Sequence, residues 1–80
     1  MTDTIAYRMG RALRGLRAER GKQQIEVAHE LGVTPVTLRN VELGHSAPGH
    51  TWQRIANHYG ITARELLERA ARIPEPEEGR

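Results

Sequence analysis

The chain has 80 residues, a formal net charge of +2 and no cysteine. This length allows one small domain, and the cysteine count excludes a disulfide framework and a thiolate metal site. No apolar run is long enough for a secretory signal or a membrane span, so we expect a cytoplasmic protein without a membrane partner.

The charges are unevenly distributed along the chain. Residues 1–22 contain six basic and two acidic residues, whereas residues 61–80 contain four arginines and five glutamates. A solvated helix face is the usual explanation of such a run, and a small DNA-binding protein can have the same pattern. Charge alone leaves both interpretations open.

A first helix is predicted from about Ile5 to Arg20, because apolar residues recur there at helical spacing. Gly10 and Gly15 lie inside it, and each costs about 1 kcal/mol relative to alanine. Close packing of a neighbouring helix would explain such a glycine. The expected buried stripe consists of Ile5, Met9, Ala12, Leu13 and Leu16.

Two short helices joined by a tight turn are predicted next, at about 24–31 and 35–43. The first ends at Gly32, a residue that readily adopts the left-handed conformation after a helix. The second begins with Thr34 as N-cap and Pro35 at its first position, where a missing N–H costs nothing. The residues expected to be buried are Val27, Ala28, Leu31, Val33, Leu38 and Val41.

Two further helices complete the predicted all-α fold. The fourth is predicted from about Thr51 to Tyr59, with a core face of Trp52, Ile55, Ala56 and Tyr59. The fifth opens with a capping box over residues 62–65, and Leu66, Leu67 and Ala70 supply its apolar side. Prolines at 74 and 76 end it, and residues 74–80 are expected to form a flexible acidic tail.

Nothing in the sequence indicates catalysis. The four histidines lack a metal-binding motif and are expected at the surface, and Ser46 has no glycine elbow around it. No phosphate-binding glycine loop occurs. We therefore expect neither an enzyme, nor a cofactor or metal, nor a small-molecule substrate.

The stretch from Gln24 to Gly44 resembles the Xre/Cro-type helix-turn-helix, the lambda-repressor-like family of DNA-binding domains. The resemblance covers roughly residues 9–70. It implies a compact five-helix lambda-repressor-like DNA-binding domain over residues 1–73, with the helix-turn-helix at 24–43. It is carried by Gln24, Val27, Ala28, Leu31, Gly32, Val33, Leu38, Val41, Glu42, Gly44, Pro48, Ile55, Ala56, Tyr59, Gly60, Ile61, Leu66 and Leu67.

The resemblance and the chemistry of the side chains together indicate which residues would contact DNA. The family's matching glutamine implies that Gln24 holds a phosphate, although an indifferent surface residue is the alternative. Val36 suits a thymine methyl, Arg39 a guanine or a phosphate, and Asn40 an adenine. The whole expected set is Gln23, Gln24, Thr34, Pro35, Val36, Thr37, Arg39, Asn40 and His45.

Two positions depart from the family pattern. Many relatives have Ser or Thr where this chain has Gln23, and phage repressors often place a base-reading glutamine where it has Pro35.

The family also implies a partly buried ion pair between Arg17 and Glu42. Two independent surface charges are the alternative to that pair.

The expected function is sequence-specific binding of double-stranded DNA by a transcriptional repressor, with the third helix in the major groove. Such regulators usually act as homodimers, and the fifth helix is the expected contact. The alternative is a protein-interaction module on the same fold, such as an antirepressor or an antitoxin-like partner. A positive rim around the third helix would favour DNA.

Overall fold

The computed structural model describes residues 5–45 and 47–73, which contain five α-helices and no strand. The expected all-α fold is therefore confirmed. The tail expected at 74–80 lies outside the described residues. The helices are α1 (Ile5–Glu19), α2 (Gln24–Leu31), α3 (Pro35–Glu42), α4 (Gly49–His58) and α5 (Ala63–Ala71).

One core is shared by all five helices. Helix α1 packs against α3 and α5, while α2 packs on α3 and α4 packs on α5. The largest fully buried side chains include one from every helix, which are Leu13, Val27, Leu38, Ile55 and Leu66. Each of these was expected in the core. No helix in the described part of the chain is both long and apolar enough to cross a bilayer.

Two expected core residues are instead exposed. Ile5 is 53% exposed, and its neighbour Ala6 packs against the core in its place, so the packed face of the first turn is rotated by one residue. Leu67 is 44% exposed because Leu66 and Ala70, four residues apart, form the narrow buried face of α5. The prediction that Ile5 and Leu67 lie in the core was wrong.

The helix ends differ slightly from the predicted ones. Helices α1 and α3 each end one residue early, at Glu19 and Glu42. Helix α4 begins at Gly49 because Pro48, with φ of −58°, lets its carbonyl accept the N–H of Thr51 at 2.9 Å. The capping box of α5 is confirmed, with both hydrogen bonds between Thr62 and Glu65 present.

Gly10 allows α1 to approach α3 closely. A methyl group on Gly10 would lie 2.6 Å from the carbonyl oxygens of both Val41 and Glu42. That distance is too short for any side chain, so close helix packing accounts for this glycine. The same explanation fails for Gly15, around which a methyl group would meet no atom within 4 Å.

Candidate nucleic-acid interface

The turn between α2 and α3 is fixed by backbone and side-chain hydrogen bonds. Gly32 adopts φ of +75°, and the N–H of Val33 then donates to the carbonyl of Ala28 at 3.0 Å. Thr34 caps α3, because its hydroxyl accepts the N–H of Thr37 at 3.1 Å. This geometry holds the start of α3 at the surface.

The outward side of α3 is an exposed face of mixed chemistry. Val36 is 62% exposed, and Arg39 and Asn40 are also exposed, whereas Leu38 and Val41 are buried as expected. Leu43, immediately after the helix, is 55% exposed and lies on the same side, seven residues after Val36. We call Val36, Arg39, Asn40 and Leu43 the outer face of α3.

The structure places most of the expected DNA-binding residues at the surface. Gln24 is half-buried, and the other eight are exposed. The hydroxyls of Thr34 and Thr37 lie 2.9 Å apart and bond to each other. The eight exposed residues are Gln23, Thr34, Pro35, Val36, Thr37, Arg39, Asn40 and His45.

The expected ion pair between Arg17 and Glu42 is confirmed. Arg17 donates from Nε to Glu42 Oε2 at 2.9 Å and from Nη2 to Oε1 at 3.1 Å. Its Nη1 also donates to the carbonyl of Lys22 at 2.9 Å, which ties the start of the loop before α2 into the pair. The hydrogen bond to Glu42 raises the pKa of Arg17 above its ordinary value.

Gln24 has a structural contact that the sequence did not reveal. Its side-chain amide donates to Glu42 Oε1 at 2.9 Å, so Glu42 accepts hydrogen bonds from both α1 and α2. Only one of the two amide hydrogens of Gln24 then remains for another acceptor. The backbone N–H of Gln23 donates to the carboxylate of Glu26 at 2.8 Å, which supports the start of α2.

Some of the basic side chains between α1 and α3 are paired with a carboxylate and others are not. Lys22 pairs with Glu30 at 2.5 Å, and His58 Nε2 lies 3.0 Å from the other oxygen of that carboxylate. The hydrogen bond between Lys22 and Glu30 raises the pKa of the lysine and lowers the pKa of the carboxyl. Arg39 and Arg14 are exposed and form no ion pair with another described residue.

The described residues contain no group of three or more histidine, cysteine or acidic side chains that could hold a metal ion. His45 is exposed beside α3, after Gly44.

Comparison with known proteins found three matches. A family model described as helix-turn-helix matches residues 13–66. A crystal structure of the clp gene regulator ClgR from Corynebacterium glutamicum is similar at TM-score 0.79 and 25% identity, covering 89% of this chain and 77% of that chain. A second crystal structure of ClgR from C. glutamicum is similar at TM-score 0.74 and 26% identity, covering 85% of this chain and 90% of that chain. Among curated proteins, no significant sequence match was found.

Proposed function

Because the chain belongs to the Xre/Cro-type helix-turn-helix family, we propose that it is a transcriptional regulator that binds double-stranded DNA. The similarity to the clp gene regulator ClgR supports a regulatory role. We further propose sequence-specific binding that represses transcription, in the cytoplasm. The domain would span residues 1–73, with the helix-turn-helix at 24–43 and residues 74–80 as an acidic tail.

The observation that carries this proposal is the outer face of α3. Val36, Arg39 and Asn40 are exposed, and no ion pair or hydrogen bond with a described side chain engages them. A helix inserted into the major groove needs such a face, because it must offer an apolar contact and hydrogen-bond donors to base edges. Helix α3 would enter the major groove, and α2 would lie across the backbone.

Each side chain has a proposed role that follows from its chemistry. Arg39 would donate to guanine or to a phosphate, Asn40 would pair with adenine, and Val36 would contact a thymine methyl. The remaining proposed contacts position the protein on the backbone. They come from Gln23, Gln24, Thr34, Pro35, Thr37 and His45.

We propose that the regulator acts as a homodimer. Two-fold binding would place one α3 in each of two half-sites about 34 Å apart. Leu67 on α5 is a large apolar side chain that the described part of the domain leaves 44% exposed. Helix α5 is therefore the proposed contact between the two copies.

The experiment that tests the proposal is Arg39→Ala, measured by fluorescence anisotropy against a panel of duplexes at several salt concentrations. Loss of a base contact should weaken binding by about 1–3 kcal/mol and relax preference at one position of each half-site. Loss of a phosphate contact should weaken binding to all duplexes equally and lower the salt slope by about one.

Gln53→Ala is the control, because Gln53 is exposed on α4, outside both the outer face of α3 and the proposed dimer contact. Both variants should unfold like the unmodified chain, since surface substitutions of this kind change stability by less than about 0.5 kcal/mol. Unchanged affinity of Arg39→Ala for every duplex would contradict the proposal.

A second candidate function is docking of a protein partner, as in an antirepressor or an antitoxin-like module. It is favoured by two exposed apolar side chains on the outer face of α3, Val36 at 62% and Leu43 at 55%. Paired apolar contacts seven residues apart are typical of a helix that packs against another protein. Capture of a partner that Val36→Ser abolishes, with no affinity for any duplex, would replace the first proposal by this one.

A further inference from the structure

The side of α1 that meets α3 carries an exposed arginine, Arg14, that the proposed DNA contacts do not include. Gly10 lies against the carbonyl oxygens at the end of α3, and Arg17 pairs with the Glu42 carboxylate. Residues 10, 14 and 17 share one face of α1, because they are spaced at i, i+4 and i+7. Arg14 is nevertheless exposed, so it lies at the outer margin of the contact between α1 and α3.

The start of α2 is tied to the same part of α1. Gln24 and Arg17 both donate to Glu42 Oε1, at 2.9 Å and 3.1 Å. Arg17 Nη1 also donates to the carbonyl of Lys22, two residues before Gln24. With a rise of about 1.5 Å per residue, Arg14 lies only about 4.5 Å along the axis of α1 from Arg17. Arg14 is therefore within one helical turn of the residue that joins α1 to the start of α2.

The other cations at the start of α2 are paired with carboxylates. Arg17 pairs with Glu42 at 2.9 Å, and Lys22 pairs with Glu30 at 2.5 Å, so each pair is neutral overall. Binding to the DNA backbone releases counterions only where a cation neutralises a phosphate. Arg14 forms no ion pair or hydrogen bond with another described residue. Its charge is therefore available to a partner outside the chain.

We propose that Arg14 contacts the DNA phosphate backbone beside the start of α2, as a contact from outside the helix-turn-helix. This inference rests on the proposed DNA-binding function. A guanidinium can donate two parallel hydrogen bonds to a phosphate. Such a contact fixes the position of the protein on the duplex and carries no sequence information. Arg14 thus contributes to affinity, whereas the outer face of α3 determines sequence preference.

Arg11 provides the matched control on the same helix. It is exposed like Arg14, and its Nη1 donates to the hydroxyl of Tyr7 at 3.2 Å. It lines a surface cleft between α1 and the end of α5, whereas Arg14 lies on the side of α1 that meets α3. Arg11→Gln therefore removes the same charge from the same helix without removing the proposed phosphate contact.

The test compares the unmodified chain with Arg14→Gln and Arg11→Gln by fluorescence anisotropy, on a panel of duplexes at several salt concentrations. Arg14→Gln should weaken binding to every duplex by the same factor and lower the salt slope by about one. The ratio of the two affinities should then shrink about 3.5-fold between about 50 and 200 mM salt. Arg11→Gln should keep the salt slope of the unmodified chain.

Two further measurements separate a phosphate contact from a structural role. Arg14→Lys should restore the salt slope, because an ammonium also binds a phosphate as a point charge. Both glutamine variants should unfold at the same urea concentration as the unmodified chain, since the two arginines are exposed. In NMR spectra, addition of a duplex should shift the side-chain Nε–H resonance of Arg14 and leave that of Arg11 in place.

The possible results distinguish this inference from the proposed function. If the unmodified chain binds DNA and Arg14→Gln keeps its salt slope, the phosphate contact is overturned and the proposed function stands. An affinity loss confined to some duplexes, or an equal loss of slope in Arg11→Gln, would also overturn the contact, because a base or the total charge would then be responsible. If the unmodified chain binds no duplex even at about 50 mM salt, the proposed function fails and this contact with it.

Discussion

Glu42 is a buried side chain of α3 that joins this helix to α1 and α2. It is 5% exposed, and its two carboxylate oxygens accept hydrogen bonds from Arg17 and from Gln24. A buried carboxylate is stable only while its partners remain, because its charge is otherwise uncompensated. Substitutions of these partners therefore affect folding as well as any contact with DNA.

Gln24→Ala should change both stability and binding. Loss of the bond to Glu42 should lower the free energy of unfolding by about 1–2 kcal/mol, the range for a partly exposed hydrogen bond to a charged group. If Gln24 also holds a phosphate, affinity should fall equally for every duplex. Urea unfolding and fluorescence anisotropy measure the two effects.

Gln53→Ala is the control for this substitution, since Gln53 is exposed on α4. An affinity loss confined to one DNA sequence would contradict the phosphate role of Gln24. Unchanged stability would contradict its hydrogen bond to Glu42.

Residue contacts were predictable to different degrees. The pair of Arg17 and Glu42 followed from the family resemblance, and the exposure of Val36, Arg39 and Asn40 followed from helical spacing. The bond from Gln24 to Glu42 joins residues 18 positions apart on different helices. Sequence spacing specifies neither the distance between those helices nor the rotamers, so this contact could not be read from the chain.

Between elements, the contact of α1 with α3 sets the position of the proposed recognition helix. It combines the close approach at Gly10 with the ion pair of Arg17 and Glu42. Both features lie near the end of α3, where Val41 and Glu42 are buried. They hold this end of the helix in a fixed relation to α1.

Gly10→Ala and Gly15→Ala should have opposite effects on stability. Alanine at position 15 meets no atom and removes the entropic cost of glycine, so it should stabilise by up to about 1 kcal/mol. Alanine at position 10 would collide with the backbone of α3 and should cost about 1–3 kcal/mol. Denaturant titration of both variants provides the comparison, and shifts of the same sign would mean that the helices do not meet at Gly10.

Arg17 and Glu42 should be strongly coupled in a double-mutant cycle. Arg17→Ala alone leaves Glu42 buried without its main partner and should cost about 3–5 kcal/mol. Removing both side chains should cost clearly less than the sum of the single variants. Strictly additive unfolding free energies would show that the ion pair does not form in solution.

Elements as a whole were easier to predict than their ends. All five helices follow from apolar residues at helical spacing and from capping signals. The start of α4 was placed at Thr51 because the loop before it contains several turn residues, yet Pro48 and Gly49 extend the helix. Ile5 and Leu67 were misassigned because helical spacing cannot say how wide the packed face of a helix is.

For the molecule as a whole, Tyr59 is a buried group that limits stability at high pH. The residue is 3% exposed, and its hydroxyl has no hydrogen-bond partner among the described residues. Burial raises its pKa from the ordinary value of 10.0 to about 12. Arg20 donates to its carbonyl at 2.8 Å and lies over its ring, 5.1 Å from the centroid, which anchors the end of α4 to the end of α1.

Stability should therefore fall as the pH rises above about 10. The unfolded chain loses the phenol proton near pH 10, whereas the folded chain keeps it up to about 12. The unfolded state then binds fewer protons, so the free energy of unfolding decreases by up to about 1.4 kcal/mol per pH unit in this window. Below pH 10 the residue contributes no pH dependence.

Tyr59→Phe isolates this effect, because it removes the ionisable group and the unpartnered hydroxyl together. At neutral pH the variant should be at least as stable as the unmodified chain, since no hydrogen bond is lost. Between pH 10 and 12 its free energy of unfolding should decline less steeply. Parallel pH profiles of the two proteins would contradict the raised pKa of Tyr59.

The global arrangement contains information that the sequence pattern lacked. A buried residue of every helix could be predicted, but the packing of α1 on α5 could not. The spacing of apolar residues shows which face of a helix is buried, and it does not show which other helix covers that face. Arg11 on α1 and Arg69 at the end of α5 are 58 positions apart along the chain, and they line one surface cleft only because these two helices pack together.

Helix α3 contacts the core through its C-terminal part. Its buried residues, Leu38, Val41 and Glu42, all lie in the last five positions, while residues 35–37 are exposed and follow the hydrogen-bonded turn. With a rise of about 1.5 Å per residue, Val36 lies about 9 Å along the axis from Glu42, so a tilt of about 6° about the buried end displaces it by about 1 Å. If α3 reads DNA, small changes at Gly10 or Arg17 would alter the tilt of the helix together with the turn before it, and operator preference would change through residues that never touch a base.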